Sequence, residues 1–64
     1  MLKEGDKVEI LDVKEIEFAE MFFKNGDIIE LVMTDKGLAL KTDKIEGDIG
    51  LLLFKNEYKY LKKV

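Results

Sequence analysis

The chain contains no cysteine, histidine, serine, arginine, glutamine, proline or tryptophan. Each absence removes a class of chemistry. Without Ser, Cys or His there is no ordinary nucleophile and base for covalent catalysis. Zinc, haem and iron–sulfur groups lose their usual thiolate and imidazole ligands, so the expectation is a protein with no metal or cofactor and no catalytic residues. No disulfide can staple the fold. A chain of 64 residues buries only about 60% of the surface its unfolded form exposes, which leaves a stability of a few kcal/mol. The core must suffice alone or be completed by a partner or a second copy, so a homodimer stays among the alternatives. No apolar run approaches the roughly 20 residues that span a bilayer. The first residues also lack the basic-then-apolar layout of a signal peptide. The expectation is a soluble, cytoplasmic protein without membrane insertion.

What is present describes one globular domain over residues 1–64. The apolar fraction of 47% is enough for a core and argues against disorder. Charge is uneven. Residues 1–30 carry nine acids and four lysines, net −5, whereas residues 31–64 carry five acids and seven lysines, net +2. That balance argues against nucleic acid as a partner, since a binding face needs a coherent basic patch to release counterions. Lys55, Lys59, Lys62 and Lys63 do gather near the C-terminus, where they suit an edge strand guarded by lysines. Asp43-x-x-Glu46-x-Asp48 lacks the alternating oxygen ligands of a calcium loop and reads as a solvated turn. The five glycines are scattered through turns rather than gathered in a phosphate-binding loop.

Alternation of apolar and polar residues predicts five short strands. Val8 and Ile10 alternate with Lys7 and Glu9 in the first, and Leu11 breaks the pattern as a bulge would. Ile28–Met33 forms the second, then Thr34-Asp35-Lys36-Gly37 turns into the third at Leu38–Thr42. A polar connection leads to Ile49–Phe54, and after a tight turn at Lys55-Asn56-Glu57 the segment Tyr58–Leu61 closes the sheet. Residues 13–25 admit two readings. Asp12 and Glu15 have the form of a capping box, and Ile16, Ala19, Phe22 and Phe23 recur at helical spacing. The alternative, which is preferred, is a long loop with a helical turn at Ile16–Glu20, its base pinned by Met21 and Phe23 as core residues. The predicted core is Val8, Ile10, Met21, Phe23, Ile29, Leu31, Leu38, Leu40, Leu51, Leu53 and Leu61.

Phe23-Lys24-Asn25-Gly26-Asp27-Ile28-Ile29-Glu30-Leu31 resembles the diverging-turn signature of Src-homology-3 (SH3) barrels. Asp35-x-Gly37 resembles the next hairpin turn of that family, and Tyr60-Leu61-Lys62-Lys63-Val64 its tail. The resemblance covers roughly residues 21–64 and implies an all-β, five-stranded SH3-like barrel, with one short helix or helical turn at about 14–24. It does not carry over the family's ligand. SH3 domains hold polyproline helices on an aromatic shelf, but here Leu11 and Val13 stand where the shelf has tyrosines, and there is no Trp or Pro. Tyr58 or Tyr60 would be its one remnant. The chain is closer in character to prokaryotic or phage-type SH3-like accessory proteins. It is also similar to the ferrous-iron-transport accessory protein A family, which has a Gly-Asp-x-hydrophobic turn after a helix.

The candidate interaction surface is Glu15, Glu17 and Glu20 interleaved with Phe18 and Phe22, with Tyr58 and Tyr60 as further protein-binding candidates. Exposed aromatic residues with an acidic rim are the makings of a protein-binding site. The functional expectation is a non-enzymatic protein-binding module, a small phage or mobile-element factor acting on a host protein. One alternative is a nucleic-acid-associated barrel using the C-terminal lysines, and another is an accessory subunit of a membrane transporter.

Overall fold

A computed structural model describes all 64 residues. Five strands form one antiparallel sheet: β1 (Lys7–Ile10), β2 (Ile28–Thr34), β3 (Gly37–Lys41), β4 (Gly50–Leu52) and β5 (Leu61–Lys63). Their spatial order is β4-β3-β2-β1-β5. The start of β2 pairs with β1 (Val8 opposite Ile29), while its second half pairs with β3 (Leu31 opposite Leu40, Met33 opposite Leu38). The sheet therefore wraps into a small barrel-like fold of the expected all-β class. It does not close, because β4 and β5 are its two edges. No helix is long and apolar enough to cross a membrane.

Two turns of nearly the same sequence launch β1 and β2. Lys3-Glu4-Gly5-Asp6 is followed by Lys7-Val8-Glu9-Ile10, and Lys24-Asn25-Gly26-Asp27 by Ile28-Ile29-Glu30-Leu31. In each, the Asp carboxylate accepts the Lys backbone N–H at 3.0 Å and the Asp N–H returns to the Lys carbonyl at 3.1 Å. The intervening glycine has φ of +90° or +91°, a left-handed conformation that side chains resist. Each turn then bonds to the end of the other strand. Gly5 N–H donates to the Leu31 carbonyl and Leu31 N–H to the Asp6 carbonyl, while Gly26 N–H donates to the Ile10 carbonyl and Ile10 N–H to the Asp27 carbonyl. β1 and β2 are thus related by a local pseudo-two-fold axis.

Alternation within the strands selects the core. Val8, Ile10, Leu31, Leu38, Leu40, Leu51, Leu53 and Leu61 are buried as predicted, and Phe23 and Ile29 pack partly buried against them. Met21 does not belong there, since it is 71% exposed. It lies in a 3-10 turn, Ala19–Met21, where a period of three replaces the strand period of two. Ala19 points inward and Phe22, three residues on, packs against the core. The 13–25 segment is the expected loop, with two such turns, Val13–Glu15 and Ala19–Met21, in place of one at Ile16–Glu20. The Asp12 side chain caps nothing. The loop nonetheless supplies Val13, Ile16 and Ala19 to the core.

The last part of the chain differs from expectation. Lys55–Tyr60 is a 3-10 helix rather than a turn and the start of a strand, and β5 begins only at Leu61. β4 is shorter than predicted, although Leu53 N–H still donates to the Leu38 carbonyl and Thr42 N–H to the Ile49 carbonyl. A Cβ added to Gly50 would lie 2.6 Å from the Leu40 carbonyl oxygen, so no larger residue fits there without moving the backbone.

Leu31 is fully buried where the two halves of the sheet meet. Leu31→Ala should cost about 2–5 kcal/mol through lost transfer energy and the cavity left behind. In a domain of this size a large part of the population would unfold at room temperature, which a urea titration followed by circular dichroism would detect.

Candidate functional site

The 13–25 loop is held in place by two side-chain contacts, and a third fixes the partner that one of them uses. At its base the Asn25 amide oxygen accepts the Val13 N–H at 2.7 Å. In its middle the Glu17 N–H donates to Glu57 Oε2 at 2.8 Å. The other carboxylate oxygen of Glu57 accepts the Phe54 N–H at 2.9 Å, fixing the start of the Lys55–Tyr60 helix. Glu57 is 4% exposed. Burying a carboxylate is costly unless its oxygens are satisfied, and here two backbone donors from segments far apart in sequence satisfy them. The only sequence signal was a Glu three residues after Phe54, a weak one because the position before the helix is an apolar residue rather than Ser, Thr, Asp or Asn.

So anchored, the loop presents Phe18 and Met21 to solvent, 61% and 71% exposed. Phe22 is half-buried and meets Phe23 edge to face, with ring centroids 6.3 Å apart. These three residues form one wall of a groove of about 620 Å³. Its other boundaries are the β2–β3 turn (Thr34, Asp35, Lys36), the β3–β4 connection (Ile45, Gly47, Asp48) and the three residues of β4 itself. The groove therefore runs along β4 from one end to the other.

Phe18 has φ +66° and ψ 0°, and it is the only non-glycine residue with positive φ. An L residue in that conformation costs roughly 1–2 kcal/mol, and with most of the ring in water only a minor part of its surface is available to offset that cost.

Of the residues singled out from the sequence, the structure brings Phe18 and Phe22 into the groove, with Glu15, Glu17 and Glu20 exposed on the same loop. Tyr58 and Tyr60 are not part of it. They sit on the 55–60 helix, partly buried against the core, with the Lys59 ammonium 5.4 Å from the Tyr60 ring centre. Met21 and β4 were missed as groove residues. Lys62 and Lys63 lie exposed on the edge strand β5, where Lys63 pairs with Asp6 at 3.6 Å. Asp43, Glu46 and Asp48 are exposed, and no three carboxylates converge as metal ligands would.

Comparison with protein-family models, with curated proteins and with solved structures finds no significant match for this chain.

Glu57→Gln tests the anchor. Glutamine keeps one acceptor but turns its NH₂ toward the second backbone N–H, leaving that donor unpaired. The expected loss is about 1.5–3 kcal/mol, or roughly 10 °C or more in Tm. Faster hydrogen exchange at the Glu17 or Phe54 amide would accompany it. An unchanged melting curve would show that the bridge contributes nothing to stability.

Proposed function

We propose that this chain is a protein-binding module that acts without catalysis, and that its partner docks on the groove between the 13–22 loop and β4. The observation that carries this reading is Phe18. Its ring is mostly exposed, it opens onto a groove, and its backbone is held at φ +66°. Strain of this kind is a cost to folding that persists where function uses it, and aromatic anchors dominate the energetics of protein interfaces. Met21 extends the apolar surface, and the loop carboxylates provide a polar rim that tunes association rate and selectivity. The role suits a small cytoplasmic accessory factor of the phage or mobile-element kind that acts on a host protein.

Phe18 permits a clean test, because the two contributions of the residue have opposite signs. Phe18→Gly removes the ring and also relieves the backbone, so stability should hold or rise by up to about 1 kcal/mol. Capture of the partner from a lysate of the source cells, scored by mass spectrometry against the wild type, should be lost. Reversing Glu15, Glu17 and Glu20 to Lys should weaken capture at low salt and matter less at high salt, where screening already mutes those charges. A Phe18→Gly protein that folds and still retains the same partner would place the binding face elsewhere.

A further inference from the structure

The two edges of the sheet are unlike. β5 carries Lys62 and Lys63, and its Leu61 N–H is already taken by the Tyr58 carbonyl. Lysines on an edge are a common protection against pairing with another chain. β4 has no such guard. From Ile49 to Phe54 the sequence is Ile-Gly-Leu-Leu-Leu-Phe, without a charge, and both end residues are about half exposed, 56% and 49%.

Hydrogen-bond parity shows what this edge offers. Ile49 and Leu53 bond to β3 through the Thr42 N–H and the Leu38 carbonyl. In an antiparallel strand successive residues direct their N–H and C=O to opposite sides. Leu51 therefore faces β3, and Gly50 and Leu52 direct theirs away from it. No backbone or side-chain group of this chain outside the ladder bonds to either residue. Three consecutive residues of β4, whose side chains alternate between faces, all line the groove. A groove alongside the edge of the strand has that lining; within it Gly50 is buried and Leu52 half-buried, and their outward backbone groups, which a folded chain normally pairs, have no partner.

Charge says what could occupy it. The three segments that border the groove, 13–22, 34–36 and 43–48, carry seven carboxylates and three lysines, net −4, whereas the remaining residues sum to +1. None of those seven carboxylates takes part in either of the chain's ion pairs. A second copy docked edge to edge through β4 would bring two such rims together and be repelled. A basic strand would be attracted.

We propose that the groove takes an extended segment of a partner protein, with lysine or arginine alternating with apolar residues, which adds to β4 as a sixth strand. Gly50 and Leu52 would supply its backbone hydrogen bonds, Phe18 and Met21 would cover its apolar side chains, and the acidic rim would pair with its cations. The proposal rests on the protein-binding reading above and adds the partner's conformation and charge.

The test uses wild-type protein and three synthetic peptides. One alternates lysine with valine, one is the same peptide fully N-methylated so that it cannot donate backbone hydrogen bonds, and one alternates glutamate with valine. Binding would be followed by NMR shifts and amide hydrogen exchange. The lysine peptide should bind, slow exchange at Gly50 and Leu52 by about tenfold or more, leave Leu51 nearly unchanged, and weaken as salt rises. The other two should bind at least about tenfold more weakly. Equal binding of the N-methylated peptide, or binding without protection at Gly50 and Leu52, would overturn strand addition while leaving a Phe18-dependent protein site intact. No binding by any peptide, with Phe18-dependent partner capture preserved, would do the same. Protection of Gly50 and Leu52 that rises with protein concentration alone would overturn the proposal in favour of a second copy. Loss of Phe18 dependence in the capture experiment would instead remove the reading on which it rests.

Discussion

The Glu57 carboxylate is the constraint on which the rest of the arrangement depends. The barrel has too few residues to enclose itself, and its sheet is open between β4 and β5. The Lys55–Tyr60 helix carries the chain from β4 to β5 and the 13–25 loop packs against that helix, and neither can satisfy all its own backbone groups. One carboxylate, with one oxygen for each, takes the Glu17 N–H from the loop and the Phe54 N–H from the helix start. Charge-assisted bonds of this kind are roughly twice as strong as neutral ones. Their position matters as much as their strength, because they hold together two segments separated by forty residues in sequence. With the loop fixed, Val13, Ile16 and Ala19 complete the core, and Phe18 and Met21 face outward.

This division of labour explains why one loop both stabilises the fold and displays apolar surface. A 3-10 turn has a period near three, so Ile16, Ala19 and Phe22 can face inward together while Phe18 and Met21 face outward. The segment is as apolar as it is because both faces are used. The left-handed conformation at Phe18, just before Ala19, allows the chain to switch between them.

The strands and most of the core were legible because period-two burial leaves a direct trace in the sequence. Val8 with Ile10, Leu38 with Leu40, and Leu51 with Leu53 could be assigned to the interior without knowing which strands were neighbours. The Gly-Asp turn before β2 was equally plain. What was not legible depends on contacts between distant segments. Met21 was assigned inward on strand spacing, and only the packing of Ala19 shows that the spacing is helical. Glu57 looked like a turn residue because nothing local reveals that its carboxylate is buried. Tyr58 and Tyr60 were grouped with the binding surface by analogy with an aromatic shelf, yet the helix that carries them packs their rings against the core. The acidic loop with Phe18 was found, but its opposite wall, the uncharged edge of β4, could be placed beside it only by the fold. Lys3-x-Gly5-Asp6 repeats the spacing of Lys24-x-Gly26-Asp27, and that likeness acquires its meaning only from the bonds each turn makes to the other strand.

Those twin turns bear on how freely the chain can change. β1 and β2 are fastened at both ends by the same pattern of bonds, Gly5 and Asp6 to Leu31 at one end and Gly26 and Asp27 to Ile10 at the other. Register between the two strands is thus set by a self-complementary eight-residue phrase and its copy, and the excursion between them contributes nothing to it. Lengthening a connection whose ends are already fixed costs little, since closure entropy grows only with the logarithm of loop length. The excursion can therefore accept insertions and substitutions around its few core residues while the sheet keeps its alignment. In evolutionary terms the sheet and the loop are separable, and the surface that the loop displays can be rewritten while the strands keep their alignment.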